Sequence, residues 1–333
     1  MDRDGLGEIH HYLSTYTLQI VKQSLERRNA SVPRAGEGSW IHFLGTGGNP
    51  INLMSQHRQT GGFVLRVGGA CLCVDPGPGA LVHAAREGLD LSGIDAVYVS
   101  HGHTDHCGDA GVVIEAMCQA MSRRRGMVFS PVEVLEDGRI SRFHQGKAPS
   151  RAYPGGPQEV VPAEDGGEVA IGDCVLRFVR AYHGGENYGF ILEAPGLRVG
   201  YTSDTSYLIS VEGSGGPRPV APWDAMSDLR GVVEYREDLK NAFYCVDVLV
   251  ANVSYHSLFA TRCLTAVGLS HLLSGSRVGL AIMTHLDEAC FRPRDISQRM
   301  AEYVEGYSGV STRVAQDNEV ISLEPQQGIP VVR

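Results

Sequence analysis

The hydrophobic positions of the chain change their spacing near residue 38. Between about Tyr12 and Arg28 they recur every three or four residues, which predicts an amphipathic helix. A loop with Pro33 and a glycine-containing stretch at 36–38 separates this helix from short, strand-length apolar runs. We therefore predict an N-terminal helical extension over residues 1–37, acting as a docking helix or a dimerisation element, and one larger domain over residues 38–333.

The larger domain is predicted to consist of two strand-rich halves, each followed by helix. The apolar runs that predict strands are Trp40 to Leu44, Phe63 to Val67, Ala70 to Val74, Ile94 to Val99, Val175 to Val179, Gly189 to Glu193, Leu197 to Thr202, Val246 to Val250 and Val278 to Met283. Helical spacing predicts helices from Ala110 to Met121 and from Leu264 to Leu273. This order favours two sheets packed on each other with helices outside. Segments 122–167 and 206–240 fit the scheme poorly, and their length favours insertions near a functional site.

The strongest chemical signal is the run Ser100-His101-Gly102-His103-Thr104-Asp105-His106. Neutral imidazoles packed this closely would each need a hydrogen-bond partner, so a purely structural role is difficult to defend. The run follows a buried strand and precedes a helix, where loops carry chemistry on a rigid base. Imidazole and carboxylate ligands favour a catalytic metal site, because structural zinc sites are usually closed and contain cysteine. Alternation directs His101 and His103 toward one metal ion, while Asp105 and His106 can reach another.

Composition and charge restrict the remaining classes of function. A hydrophobic content of 43% and a charged content of 20% are typical of an ordinary globular protein. The net charge of -9 weighs against a broad nucleic-acid-binding face, although metal ions would bring positive charge into an acidic site. The polar N-terminus and the lack of a long apolar run predict a cytoplasmic protein without a membrane segment. With no secretion signal, the eight cysteines are expected to be free thiols.

Five motifs in this sequence together resemble the metallo-β-lactamase superfamily. The His-x-His-x-Asp-His motif of that superfamily corresponds to residues 101–106. Its acidic residue after an early strand corresponds to Asp75, in the run Cys73-Val74-Asp75-Pro76-Gly77. Its three later motifs correspond, in order, to His183, Asp204 and His285. The resemblance covers the chain from about Trp40 onwards.

The resemblance implies an α/β fold, a four-layer αββα sandwich with metal ions at one rim of the two sheets. It assigns three histidines to the first ion, namely His101, His103 and His183. It assigns a carboxylate and two histidines to the second ion, namely Asp105, His106 and His285, and it makes Asp204 the bridge between the ions. Such nitrogen and oxygen donors suit two divalent ions, with zinc favoured and manganese or iron open. Asp75 is expected to orient a ligand histidine or the Asp105 loop without binding metal itself.

The resemblance also implies a hydrolase. Two ions that share ligands can provide a bridging hydroxide near neutral pH and stabilise negative charge on the substrate. The turn Gly45-Thr46-Gly47-Gly48 and the run Tyr201-Thr202-Ser203-Asp204-Thr205 are similar to the ribonuclease Z and phosphodiesterase branch. Exposed N–H groups of a glycine-rich turn would suit a phosphate, and a tight turn without a ligand is an equally good interpretation.

Two departures from the pattern narrow the substrate. β-Lactamases with a second metal ion often carry cysteine where this chain has Asp204, which argues against antibiotic hydrolysis. Ribonuclease Z proteins carry a His-Glu-Ala-Thr motif in the strand before the last metal histidine, whereas this chain has Val250-Ala251-Asn252-Val253-Ser254. We therefore predict a phosphodiesterase that acts on a cyclic or short nucleotide or another small phosphodiester. A thioesterase or lactonase similar to glyoxalase II, and a ribonuclease Z-like nuclease, are the alternatives.

Proton transfer and partners are the features that the sequence determines least. Asp105 is a candidate catalytic residue as well as a ligand, and either His256 or His271 could serve as the general acid. For each of these two histidines alone, an ordinary surface or hydrogen-bonded role is the favoured interpretation. The expected partner is a small-molecule or short nucleotide substrate; extended nucleic acid and membranes are disfavoured, and a homodimer stays open. A non-catalytic relic of the fold is disfavoured because no ligand of the pattern is missing.

Overall fold

The computed structural model of the protein describes residues 3–29, 38–221, 229–256 and 263–323. The chain divides into two units, Met1–Glu37 and Gly38–Arg333. The first unit contains helix α1 (Arg3–Asn29), on which described apolar side chains such as Leu13 are exposed. Among the helices within these residues, none is both long and apolar enough to cross a membrane.

The second unit alternates short strands and short helices. Its first nine strands are β1 (Trp40–Phe43), β2 (Phe63–Val67), β3 (Ala70–Val74), β4 (Ala96–Tyr98), β5 (Met127–Ser130), β6 (Glu159–Pro162), β7 (Glu168–Ile171), β8 (Cys174–Arg180) and β9 (Tyr188–Ala194). The next eight are β10 (Leu197–Tyr201), β11 (Leu208–Gly213), β12 (Gly216–Pro219), β13 (Val232–Tyr235), β14 (Val248–Asn252), β15 (Leu280–Thr284), β16 (Ser311–Val314) and β17 (Val320–Ser322). The helices are α2 (Asn49–Ser55), α3 (Ala80–Arg86), α4 (Thr104–Cys107), α5 (Ala110–Met117), α6 (Val132–Glu136), α7 (Glu237–Ala242), α8 (Ala266–Leu273) and α9 (Ser297–Ser308).

Two seven-stranded sheets form the centre of this unit. The first has the order β17-β1-β2-β3-β4-β5-β6, and the second has the order β16-β15-β14-β10-β9-β8-β7. Apolar side chains from both sheets share one core, in which Leu65 of β2 and Phe190 of β9 are fully buried. Helices α3 and α5 cover the outer face of the first sheet, and α8 and α9 cover that of the second. The αββα sandwich predicted from the sequence is confirmed.

Alternation along the strands explains where the cysteines lie. Successive side chains of a strand point to opposite faces, so Leu72 of β3 enters the core between the sheets. Cys71 and Cys73 point the other way, into the core under α3 and α5. Burial raises the pKa of the Cys71 thiol to about 12, so this thiol behaves as a small apolar side chain. All eight cysteines are free.

Two expectations about the elements are wrong. The predicted helix from Ala110 to Met121 ends at Met117, because residues 119–121 adopt left-handed conformations with φ of 52°, 52° and 54°. Segment 122–167 is not an insertion as a whole, since it supplies β5 and β6, which continue the first sheet in parallel beside β4. In its described residues, segment 206–240 forms a separate sheet of order β12-β11-β13 and adds helix α7.

Candidate metal centre

The seven predicted metal ligands lie at the carboxyl ends of four strands. The run 101–106 follows β4 of the first sheet. In the second sheet, His183 follows β8, Asp204 follows β10 and His285 follows β15. Their donor atoms meet in two groups of three, which a third group of His101, His106 and Asp204 overlaps, so loops from both sheets build one site.

Three histidines form the first group of donor atoms. His103 Nδ1 lies 3.0 Å from His101 Nε2 and 3.2 Å from His183 Nε2. All three donor atoms lie within 4.8 Å of one another. Ser100 Oγ lies 3.0 Å from His101 Nδ1, so the other ring nitrogen of His101 is the one that faces the group. A cation placed among these atoms would meet three imidazole ligands.

A carboxylate and two histidines form the second group, and Asp204 lies between the groups. His285 Nε2 lies 3.0 Å from His106 Nε2 and 3.3 Å from Asp105 Oδ2. Asp204 Oδ1 lies 3.4 Å from His285 Nε2, while Oδ2 lies 3.7 Å from His183 Nε2. Imidazole nitrogens that face one another at such distances cannot all carry protons. The donor set therefore fits divalent cations, with zinc among those that such ligands suit.

Burial and charge act differently on the two groups. Burial lowers the pKa of His101 well below its usual range and also lowers the pKa of His103. Burial would lower the pKa of His106 too, but nearby carboxylates, led by Asp204, raise it well above the usual range. In turn, burial would raise the pKa of Asp204, but His285 and His106 hold it well below the usual range. Because a ligand imidazole must be neutral, a cation has to displace a proton from His106.

Asp75 supports His106 from the side opposite the donor groups. Its Oδ2 accepts hydrogen bonds from His106 Nδ1 at 2.8 Å and from Tyr201 OH at 2.6 Å. Its Oδ1 accepts a bond from the backbone N–H of Ser100 at 2.6 Å. A proton held on Nδ1 leaves Nε2 of His106 available to a cation. The structure thus places Asp75 where the sequence predicted an orienting carboxylate.

Two asparagines that were not singled out in the sequence hold the turn of Asp204. Asn252 Nδ2 donates to Asp204 Oδ1 at 2.7 Å. Asn187 Nδ2 donates to the backbone oxygen of Asp204 at 2.6 Å, and Asn187 Oδ1 accepts from Ser203 Oγ at 2.7 Å. Ser203 has a φ of 54°, a left-handed conformation that a serine keeps only where its surroundings hold it. The feature that could have identified Asn252 was its position, because it ends a strand that lies between the strands leading to Asp204 and His285.

The glycine-rich turn at 45–48 does not offer its N–H groups to a phosphate. Gly45 N donates to Gly62 O, and Thr46 N donates to Asp317 Oδ1 at 2.9 Å. The N–H groups of residues 47 and 48 donate to the backbone oxygens of residues 59 and 286. Of the two interpretations that the sequence left open, the structure favours the tight turn without a ligand, because all four donors already have partners. The turn instead leaves space for His285, a predicted metal ligand, because a Cβ on Gly48 would lie 2.2 Å from its ring.

The structure brings neither predicted general acid to the donor groups. The His256 ring packs against Tyr303, with ring centroids 4.8 Å apart. His271 Nδ1 lies 2.8 Å from Tyr207 OH, which fastens α8 to the chain before β11. Burial, and next the charge of Lys240, lower the pKa of His271 to about 4, so His271 is neutral at pH 7. Each histidine thus has a packing or hydrogen-bonding contact, as in the ordinary role that was favoured for it.

A cavity of about 390 Å³ opens over the donor groups. Its described lining is Pro50, Leu53, His103, Thr104, Asp105, His183, Ser254, Cys263 and His285. Pro50 and Leu53 belong to α2 and supply an apolar wall. Apart from the ligands, the lining within the described residues is uncharged. A substrate that reaches the donor groups therefore passes neutral, partly apolar surface.

Comparison with known proteins agrees with this fold. A family model described as the beta-lactamase superfamily domain matches residues 72–216, which include Asp75, the run 101–106, His183 and Asp204. An uncharacterised protein of Methanocaldococcus jannaschii is 30% identical over 174 residues, covering 50% of this chain and 62% of that protein. A ribonuclease Z of Methanopyrus kandleri is 28% identical over 169 residues, covering 50% of this chain and 54% of the relative. The chain thus spans little more than half the length of these relatives.

Solved structures are similar over most of the chain at low sequence identity. The metallo-β-lactamase fold protein YhfI of Bacillus subtilis has a TM-score of 0.61 at 15% identity, covering 86% of this chain and 99% of that one. The short form of human tRNase Z has a TM-score of 0.54 at 16% identity, with coverages of 86% and 99%. A diphosphatase of the PhnP family has a TM-score of 0.54 at 15% identity, with coverages of 86% and 98%. The chain has the metallo-β-lactamase fold, and the resemblance stated from its motifs is confirmed.

Proposed function

We propose that this protein is a hydrolase that uses two divalent metal ions to cleave a small phosphodiester, such as a cyclic or short nucleotide. The observation that carries the proposal is the convergence of seven nitrogen and oxygen donors, with Asp204 reaching both groups. When bound, such ions polarise a phosphoryl oxygen and make water more acidic. No side-chain nucleophile is needed for this chemistry.

The residues of the chain would divide the work of the site. His101, His103 and His183 would hold one ion, and Asp105, His106 and His285 would hold the other. The hydrogen bond to Asp75 would hold a proton on the outer nitrogen of His106 and leave the inner nitrogen available to the ion. The wall made by Pro50 and Leu53 would exclude water from one side of the substrate. Asp105 acts in this scheme as a ligand, so it influences the reaction through the ion.

The size of the cavity and the charge of the chain support a small substrate. The cavity of about 390 Å³ is of the order expected for a small-molecule site. The net charge of -9 disfavours a long polyanion such as a transfer RNA. Proteins similar to this one bear the names ribonuclease Z and diphosphatase, and both names describe cleavage at phosphorus. These points together favour a small phosphodiester.

Hydrolysis of bis-p-nitrophenyl phosphate and of cyclic nucleotides tests the proposal. The purified protein should turn over at least one of them when zinc, manganese or iron is supplied, and a chelator should stop the reaction. His103→Ala should abolish turnover while circular dichroism stays unchanged, because the ligand lies on a loop at the sheet rim. His10→Ala is the matched control, since His10 is exposed on α1. Absence of turnover with every metal would overturn the proposal.

A thioesterase or lactonase is the second candidate. The uncharged lining of the cavity, within the described residues, favours it because no lysine or arginine there would assist a phosphate. A panel of thioesters and lactones measured under the same metal conditions separates the two candidates. Turnover of thioesters or lactones alone would favour the carbon-centred hydrolase over the phosphodiesterase. Turnover of phosphodiesters alone would exclude the thioesterase or lactonase.

A further inference from the structure

Asn252 occupies a special position in the second sheet. It is the last residue of β14, which pairs in parallel with β10 on one side and with β15 on the other. Those two neighbouring strands lead to Asp204 and to His285, respectively. Asn252 itself is buried, with only 3% of its surface exposed. The strand between two ligand-bearing strands therefore ends in a side chain that cannot bind a cation as a carboxylate or imidazole would.

The amide of Asn252 completes a chain of hydrogen bonds behind the donor groups. Its Nδ2 donates to Asp204 Oδ1 at 2.7 Å and to Tyr201 OH at 3.1 Å. Tyr201 OH in turn donates to Asp75 Oδ2 at 2.6 Å, and the same oxygen lies 2.8 Å from His106 Nδ1. Two hydrogens on one amide nitrogen are enough for both bonds. This chain of hydrogen bonds joins His106, a predicted ligand of the second group, to Asp204, the carboxylate that lies between the groups. The side chains that connect the two are not predicted ligands themselves.

We propose that Asn252 is a positioning residue that fixes the orientation of the Asp204 carboxylate. Held by Asn252, Oδ1 faces His285 Nε2 at 3.4 Å, and Oδ2 is left between His106 Nε2 at 3.5 Å and His183 Nε2 at 3.7 Å. Without that bond the carboxylate can rotate, and Oδ2 no longer keeps its position between the two groups. An amide carries no transferable proton, so Asn252 acts by holding a ligand and not by donating a proton to a leaving group. The inference rests on the metal-binding part of the proposed function.

Zinc binding to variants of Asn252 tests this role without any substrate. Asn252→Leu keeps nearly the same shape and removes the donor, while Asn252→Ser keeps a polar group that is too short to reach Asp204. Both should still fold, and titration calorimetry should show zinc affinity at one of two sites reduced by about 10–100-fold, as for other residues that orient ligands. Turnover of any substrate found should fall in kcat with little change in KM, because Asn252 does not line the described cavity.

Gln145→Met is the matched control. Gln145 is also a buried amide, and its Nε2 donates to Leu135 O at 2.9 Å and to Ile140 O at 2.6 Å, away from the ligands. This variant should bind zinc as the wild type does. Wild-type zinc affinity and stoichiometry in both Asn252 variants, or an equal loss in Gln145→Met, would overturn the inference. A protein that binds two zinc ions but cleaves no phosphodiester would refute the proposed function and leave the role of Asn252 intact.

Discussion

His271 shows how a single partly buried side chain can make stability depend on pH. Its pKa is lowered from 6.5 to about 4, so between these values the folded protein binds fewer protons than the unfolded chain does. Stability is therefore complete above about pH 6.5 and is lost as the pH falls toward 4. Since one pKa unit corresponds to about 1.4 kcal/mol, we expect a loss of about 2 kcal/mol after allowing for partial exposure.

Urea unfolding at pH 7 and pH 4.5, in the presence of chelator, measures this contribution. His271→Gln keeps a polar partner for Tyr207 but does not titrate, so its free energy of unfolding should fall less between the two pH values than that of the wild type. His10→Gln, at an exposed position of α1, should behave like the wild type. An identical pH dependence in wild type and His271→Gln would show that His271 is not the cause.

At this scale, the residues that meet at the candidate metal centre could be predicted because the chemistry of metal ligands restricts the residue type. A histidine cluster such as 101–106 has few structural explanations, and its placement in the fold could be inferred from the strand before it. The assignment of each ligand to a particular ion stays a prediction. His271 and Asn252 could not be placed in the same way, because hydrogen-bonding side chains acquire their roles only from neighbours that are distant in the sequence. His271 meets Tyr207, and Asn252 meets Asp204.

The turn between β1 and α2 determines how closely the backbone approaches His285, a predicted metal ligand. Gly48 has an extended backbone, with φ of -138°, so the conformation itself tolerates a side chain. A methyl group there would nevertheless lie 2.2 Å from the His285 ring and would have to displace it. We expect Gly48→Ala to weaken zinc binding at one site by at least about tenfold, as when the orientation of a ligand is lost.

Titration calorimetry of Gly48→Ala against Gly306→Ala checks this expectation. Gly306 lies in α9, and nothing lies within 4 Å of a Cβ added there. Gly306→Ala should bind zinc normally and should be more stable by about 0.5 kcal/mol, because alanine favours helix over glycine. Normal zinc binding by Gly48→Ala would mean that the His285 ring moves aside without cost.

At the scale of elements, long apolar runs predicted strands well, whereas short strands and turns were missed. β5 and β6 have four residues each, and too few positions alternate in them for a pattern to stand out. The stripe from Ala110 to Met121 continues past the end of α5, because Met121 is buried although its backbone has left the helix. The role of the turn at 45–48 stayed open in the sequence because glycine permits both anion binding and close packing. Only the partners of its N–H groups distinguish the two.

The candidate metal centre is built from both sheets of the molecule. The run 101–106 comes from the first sheet, and His183, Asp204 and His285 come from the second. Because the candidate ligands come from both sheets, a bound ion would hold the sandwich together at its rim as well as serve chemistry. Asp75 extends this connection, since it follows β3 of the first sheet and accepts a hydrogen bond from Tyr201 of the second.

Removal of metal should therefore lower the stability of the whole sandwich and not only its activity. At a free ion concentration of about 100 times the dissociation constant, binding adds about 2.7 kcal/mol to the free energy of unfolding. For a domain of this size, that corresponds to a rise in melting temperature on the order of 5 °C. Scanning calorimetry with zinc and with chelator measures the difference, which His103→Ala should reduce and His10→Ala should preserve. A melting temperature of the wild type that is the same with zinc and with chelator would show that ions do not connect the two sheets.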